Sequence, residues 1–188
     1  MGIKIRKELR EWVVLLTVGG FIYFMGWHTV IIGKIQQAVL YSGLITPSEL
    51  TEEKFASYNF TLESMDGEKV LFSEFLGKTV FVNFWATWCP PCIAEMPDIH
   101  DLYEEKGDEV LFVMISLDEN KGKARAFIEK RGFEFPVYFL ASGLPSTYQV
   151  HSIPTTYLID KEGTIRVENS GMAKYNTNDF KKLLEEIR

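Results

Sequence analysis

The two cysteines of the chain sit three positions apart, in Trp88-Cys89-Pro90-Pro91-Cys92. Two sulfurs at that spacing suit disulfide exchange or a soft metal. A structural staple is a poor third reading, because closing so short a loop removes little chain entropy. The segment follows an apolar, β-branched and aromatic run over 79–85 and opens an amphipathic stretch, so Cys89 is expected at a helix N-terminus. Unpaired N–H groups and the positive dipole end there favour a thiolate, which is the nucleophile of disulfide exchange. Pro90 and Pro91 suit the first turn, whose amides have no helical partner. Cys92, one turn further in, is placed to resolve a mixed disulfide on Cys89. The pair thus completes a two-step cycle with no added cofactor.

The metal reading is weaker. Zinc usually takes four ligands, and the chain has no further cysteine, while His100 and His151 share no ligand spacing with the motif. No metal is expected. A copper-delivery module, holding the ion by two cysteines and a histidine, is the competing binding class.

The elements that must position the dithiol can be followed along the chain. Phe60-Thr61-Leu62 and Lys69-Val70-Leu71 flank Met65-Asp66-Gly67, a hairpin signal. Strands are expected over 79–85, 109–117, 136–140, 155–160 and 164–167. Helices are expected from about Cys92 to Lys106, over Lys121–Arg131 with Ala124, Phe127 and Ile128 inward, and over 177–187. Strands alternating with helices imply an α/β fold, a central sheet with helices on both faces. The opening hairpin and the closing strand–turn–strand make that sheet mixed. Between 132 and 148 there is room for an additional strand and helix.

Upstream, residues 12–32 run for 21 positions without Asp, Glu, Lys or Arg. At about 1.5 Å per residue a helix of that length matches a hydrocarbon core roughly 30 Å thick. Trp12 and Trp27 stand where amphipathic rings favour the interface, and His28 lies near the outer end, where interfacial exposure explains it. Residues 1–11 hold four cations (Lys4, Arg6, Lys7, Arg10) and two anions (Glu8, Glu11). That bias keeps the N-terminus in the cytoplasm and puts everything beyond about Gly33 outside. No A-x-A-like cleavage site follows in 31–37, so an uncleaved anchor in the lipid bilayer is expected rather than a removed signal. The division is then a basic cytoplasmic terminus (1–11), a transmembrane anchor (12–32), a linker (33–54) and a folded domain (55–188). In the linker, Thr46-Pro47-Ser48-Glu49 reads as a turn into a short capped helix.

Taking the terminal charges from the chain totals of 20 and 26 leaves 16 cations against 24 anions, a charge of -8 over 12–188. Such a body lacks the basic footprint of nucleic-acid binding, and that class is excluded.

Phe81-Val82-Asn83-Phe84-Trp85-Ala86-Thr87-Trp88-Cys89-Pro90-Pro91-Cys92 resembles the active-site segment of the thioredoxin superfamily, in its TlpA/ResA-like membrane-anchored, extracytoplasmic branch. The resemblance extends over about 56–188. It implies a thioredoxin-like fold and thiol–disulfide oxidoreductase activity, here disulfide reduction outside the bacterial cytoplasmic membrane. Ile153-Pro154-Thr155 resembles the family's cis-proline loop, which lies beside the dithiol and pairs with substrate backbone. The same resemblance puts Trp88, Pro90 and Pro91 on the substrate-facing rim. Pro97 sits where the family kinks its active-site helix, and an insert falls between Cys92 and Pro154. Glu95 is one helical turn beyond Cys92. By position alone it is also a plain surface glutamate, whereas the resemblance implies that it tunes thiol acidity or relays protons; an anion there raises a thiolate's pKa. Ordinary thioredoxin carries a buried aspartate where this chain has Asn83, and an amide accepts no proton. His151 reads as a surface histidine.

The resemblance further implies protein disulfide or dithiol substrates, among them the haem-attachment cysteines of apocytochrome c. Electrons would come from a membrane thiol-transferring donor, since no G-x-G-x-x-G follows any strand to hold a nicotinamide or flavin. The same dithiol would serve an oxidant or isomerase if its potential were high. A peroxiredoxin is disfavoured, because residues 82–89 lack the proline that leads its P-x-x-x-T-x-x-C segment.

Overall fold

The computed structural model describes residues 45–50 and 52–187 and, upstream, residues 8, 10–14, 16, 17, 35 and 40. Of the expected span 12–32, residues 12–14, 16 and 17 are helical and exposed. The remainder, with Trp27 and His28, lies outside the described residues. Among the described residues no helix is long and apolar enough to cross a membrane.

The chain opens its sheet with an antiparallel hairpin, β1 (Thr61–Ser64) and β2 (Lys69–Leu71). Gly67 takes the φ of 89° that the turn needs. A short 3-10 turn, Phe72–Phe75, follows. β3 (Val80–Trp85) is buried at all six positions, as a strand covered on both faces must be. Then come α1 (Pro90–Lys106), β4 (Leu111–Ser116), α2 (Lys121–Arg131) and β5 (Val137–Leu140). β6 (Thr155–Ile159), β7 (Ile165–Ser170) and α3 (Asn178–Glu186) complete the described chain. Asn120 and Thr177 cap α2 and α3 by accepting from Gly122 N and Phe180 N. Gly132 ends α2 in the left-handed region at φ 69°.

The strand order is β2-β1-β5-β4-β3-β6-β7, with β3, β4 and β5 parallel and the other pairs antiparallel. The two crossovers, β3–α1–β4 and β4–α2–β5, step in the same direction across the sheet. Right-handed crossovers that march one way deposit their helices on one face. That corrects the expectation of helices on both faces. Residues of α1, α2 and α3 join one core cluster with Phe81 and Trp85. The alternate side chains of β3, Val82 and Phe84, point into a second cluster, covered by Phe60, Phe72, Phe75 and Tyr148. The chain from β5 to β6 passes over this second face without a helix: residues 141–154 are turns and irregular backbone, so the additional strand exists as β5 but the helix expected beside it does not.

The linker also differs from expectation. Residues 45–50 and 52–56 contain no helix. They run along the outer edge of β7, with isolated antiparallel bridges Glu49–Val167 and Phe55–Thr164. A free strand edge offers unpaired N–H and C=O groups, and here the chain's own upstream segment takes them.

Candidate active site

β3 ends at Trp85, and the turn after it is tied down by a residue the sequence does not advertise. Asp118, just past β4, is buried. Its carboxylate accepts from Thr87 N at 2.9 Å, Thr87 Oγ1 at 2.6 Å and Ser116 Oγ at 3.0 Å. The loop entering α1 is therefore held at Thr87, two residues ahead of the first cysteine.

Cys89 is the N-cap of α1, and Pro90 and Pro91 fill the first helical positions, two residues earlier than the expected start. Neither proline has an N–H to leave unsatisfied. Cys92 N donates to Cys89 Sγ at 3.2 Å, so the sulfur takes the place a serine or aspartate oxygen would hold at a cap. That N–H and the helix dipole favour negative charge on Cys89. The two sulfurs are joined as a disulfide. Cys89 keeps 4% of its surface open and Cys92 none, which makes Cys89 the sulfur an incoming thiol or disulfide can reach. Trp88 stands 65% exposed beside it, a free aromatic rim.

The loop before β6 closes the other side. The Ile153–Pro154 bond is cis, and Ile153 O lies 3.6 Å from Cys89 Sγ, where a reduced Cys89 would donate its S–H. Thr155 Oγ1 donates to Ser152 O at 2.6 Å and Gly171 N to Pro154 O at 2.8 Å, fixing the loop at both ends. The structure thus gathers Trp88, Cys89, Pro90, Pro91, Cys92, Ile153 and Pro154 at the C-terminal end of β3. His151 is exposed, as expected. His100 is half-buried among Tyr103, Phe133 and Phe135. Among the described residues, the trio of side chains placed to hold a metal is His100, Asp101 and Glu104, without either cysteine.

Glu95 is not a surface residue. It is fully buried, with Oε1 accepting from Asn83 Nδ2 at 2.9 Å and Oε2 from Ala173 N at 3.1 Å. Burial pushes its carboxyl up to about 8; the two donors pull it down and the Asp98 charge raises it. Both oxygens face donors, which suits the ionised form. The protonated form needs an acceptor, and Asn83 Oδ1, buried without a partner, supplies one if the amide turns over. Asn83 Nδ2 also donates to Thr156 Oγ1 at 2.9 Å, its cross-strand partner on β6. Fully buried Tyr175, its hydroxyl 3.4 Å from Asn169 Nδ2, extends the polar cluster. Asp98, also buried, accepts from Tyr175 N at 2.6 Å and Asn176 N at 2.9 Å, pinning this segment to α1. Burial raises its carboxyl as well. The arrangement is a cysteine pair just beneath the surface, reached through Cys89 and backed by a buried acid raised to about 8: it can exchange disulfides and hold or release a proton one turn behind Cys92.

Thr156, Ala173, Tyr175, Asp98 and Asp118 have no motif of their own. The one available signal is polar residues, Asn83 and Thr156, inside otherwise apolar strands.

Against known proteins, the sequence model of the AhpC/TSA family matches residues 55–168. The chain is 38% identical over 136 residues to the thiol-disulfide oxidoreductase ResA of Bacillus thuringiensis subsp. konkukian (strain 97-27), covering 70% of this chain and 78% of that relative. It is 30% identical over 161 residues to the thioredoxin-like protein YneN of Bacillus subtilis (strain 168), covering 84% and 88%. Among solved structures, a putative thiol:disulfide interchange protein DsbE from Chlorobium tepidum superposes with a TM-score of 0.63 at 27% identity, over 73% of this chain and 98% of that one. StoA from Bacillus subtilis gives 0.54 at 27% identity, over 67% and 93%.

Proposed function

The chain belongs to the AhpC/TSA family and is a thiol–disulfide oxidoreductase, and on that premise we propose that it is a membrane-anchored reductase of protein disulfides outside the bacterial cytoplasmic membrane. The observation that carries the direction of electron flow is Glu95, buried one turn behind Cys92 with its carboxyl near 8. A helix N-terminus alone stabilises the thiolate and makes a dithiol oxidising. An acid that ionises nearby opposes thiolate formation and makes the pair a better reductant.

The cycle is two-electron exchange. The Cys89 thiolate attacks a substrate disulfide and expels one substrate sulfur as a thiolate. Cys92 then attacks Cys89 Sγ, releasing the second substrate sulfur and leaving the Cys89–Cys92 disulfide. Glu95 accepts the Cys92 proton and returns it when the pair is reduced again. Trp88, Pro90, Pro91 and the Ile153–Pro154 loop form the substrate-facing rim, with the Ile153 backbone pairing to the substrate chain. Residues 12–32 hold the protein in the bilayer with 1–11 in the cytoplasm, supported by the uncharged run and the basic cluster ahead of it. A membrane dithiol protein supplies the electrons, and the haem-attachment pair of apocytochrome c is the substrate class.

The deciding experiment is the reduction potential in glutathione or dithiothreitol mixtures. A value at or below roughly -220 mV, in the glutaredoxin and thioredoxin range, is expected. A value near about -120 mV, that of a strong periplasmic oxidant, would make this protein a disulfide donor instead.

A further inference from the structure

The segment that leads from the anchor enters the folded body at a defined place. Beside its two bridges to β7, it is fastened by Leu50 N to Arg166 O, Ile165 N to Lys54 O and Ala56 N to Gly163 O, at 2.7–2.8 Å. Ion pairs Arg166–Glu49 at 3.0 Å and Lys54–Glu168 at 2.6 Å hold the same stretch. Its direction is fixed because it runs antiparallel to β7. In β7, Ser170 pairs with Thr155 of β6, and Thr155 pairs with Phe84 of β3. The Ile45 end therefore lies at the end of the sheet that carries Trp85, the dithiol and Pro154. There Lys174 N donates to Ile45 O at 2.9 Å, one residue from the Ala173 N–H that holds Glu95. The Ile45 side chain packs on the core cluster that contains Cys89 and Cys92. Three strand spacings of about 4.8 Å put this entry point roughly 15 Å across the sheet from β3.

Both ends of the sheet carry apolar and charged groups, so the entry point of the tether is what distinguishes them. The dithiol end presents Trp88 and the half-buried Ile153. The opposite end gathers Lys78, Asp108 and Lys161 around a shallow depression of about 320 Å³. If 12–32 span the bilayer, the twelve residues 33–44 connect the span to Ile45. They reach at most about 40 Å fully extended, and about 18 Å as a helix.

We propose that the tether holds the dithiol end of the domain towards the bilayer, so that the Trp88–Cys89–Ile153 surface exchanges with a cysteine pair of an integral membrane protein at the membrane surface. This rests on the anchor assigned under the proposed function. The exchange balances without a further reagent. A partner thiolate attacks Cys89 Sγ and displaces Cys92 as a thiolate. The partner's second thiolate then attacks the first partner sulfur and displaces Cys89. The partner leaves as a disulfide, and its two protons end on Cys89 and Cys92. Substrates or donors that stand far above the membrane meet the opposite end of the domain instead.

The test uses the full chain in phosphatidylcholine–phosphatidylglycerol vesicles. In a Cys89→Ser, Cys92→Ser background, a bimane label is placed through Trp88→Cys or, on the exposed turn at the other end of the sheet, Glu162→Cys. Lipids carrying a headgroup quencher should quench the label at 88 more strongly than at 162. Inserting about 30 glycine and serine residues after position 44, a coil spanning roughly 30 Å, should equalise the two. With the oxidised wild-type chain, a single-span peptide bearing a cysteine pair at the bilayer surface should act as reductant about tenfold faster than the same pair on a helical stalk roughly 60 Å tall. A chain that fails to float with the vesicles overturns the anchor, and the orientation with it. A chain that floats but shows equal or reversed quenching overturns the orientation alone. Faster reduction by the stalk pair, or quenching that survives the insert, overturns the tether's role.

Discussion

Replacing Glu95 by glutamine should flatten the pH dependence of stability by an amount the structure sets. The carboxyl stands at about 8 in the folded protein against an ordinary 4.5, burial being the main cause. A folded value above the unfolded one means that the native state binds the proton more tightly. Its contribution is complete below about 4.5 and is lost as pH rises through about 8. Between those limits the loss is about 1.4 kcal/mol per pH unit, hence about 3 kcal/mol from pH 5 to pH 7. A glutamine side chain has no proton to lose and keeps the contacts. Its oxygen accepts from Ala173 N, and its amide faces Asn83, whose unpartnered Oδ1 turns to accept. Urea unfolding of the oxidised domain, beginning upstream of Ile45, measures the effect. Wild type should lose about 3 kcal/mol more than Glu95→Gln between about pH 5 and pH 7. Asp98, raised in the same direction, remains in both proteins, so the comparison reads Glu95 together with its repulsion from Asp98. Identical slopes for the two proteins would show that Glu95 ionises as an ordinary carboxylate and would remove it from the proton-transfer role.

Cys92→Ser should trap a substrate as a mixed disulfide on Cys89, visible by mass spectrometry, whereas Cys89→Ser should trap none; trapping through Cys92 would reverse the assigned roles. Asp118→Ala removes three charge-assisted hydrogen bonds beneath the Thr87 loop, and should cost about 2–4 kcal/mol in chemical unfolding and slow disulfide exchange, with Asp118→Asn recovering part of both. Unchanged exchange would mean that the loop holds its shape without this anchor. A domain beginning at residue 57 loses four backbone hydrogen bonds along and beyond β7. At about 1 kcal/mol each, its urea midpoint should fall clearly below that of a domain beginning upstream of Ile45, and the bared β7 edge should promote association in light scattering. Equal midpoints would show that the upstream segment adds nothing to the fold.

The dithiol, the helix it opens, the hairpin, α2 at its full extent and the mixed sheet were all legible in the sequence. Each is written in local chemistry: a two-cysteine motif, prolines where a first turn tolerates them, Met65-Asp66-Gly67 between apolar runs, alternating strand and helix periods. The helix expected between 132 and 148 was not, because an apolar stretch with Leu144, Tyr148 and Val150 carries no signal for whether it packs as a helix or as a loop across a sheet. The placing of α1, α2 and α3 on one face was also illegible, since it follows from strand order, which local pattern does not encode.

The sequence by itself determined the reactive pair: two cysteines three positions apart, with prolines between them that suit the first turn of a helix. Tertiary structure alone decided that Glu95, three residues past a cysteine on an ordinary-looking helix, is sealed beneath Asn83 and Ala173. It also decided that Asp118 anchors the active-site loop and that Ile45 meets the body at the dithiol end. The reason is physical. A thiolate's reactivity can be favoured by its own helix terminus within a few residues. A carboxyl's burial and a strap's direction depend on groups 78 and more than 100 positions away, and only the folded chain brings those together.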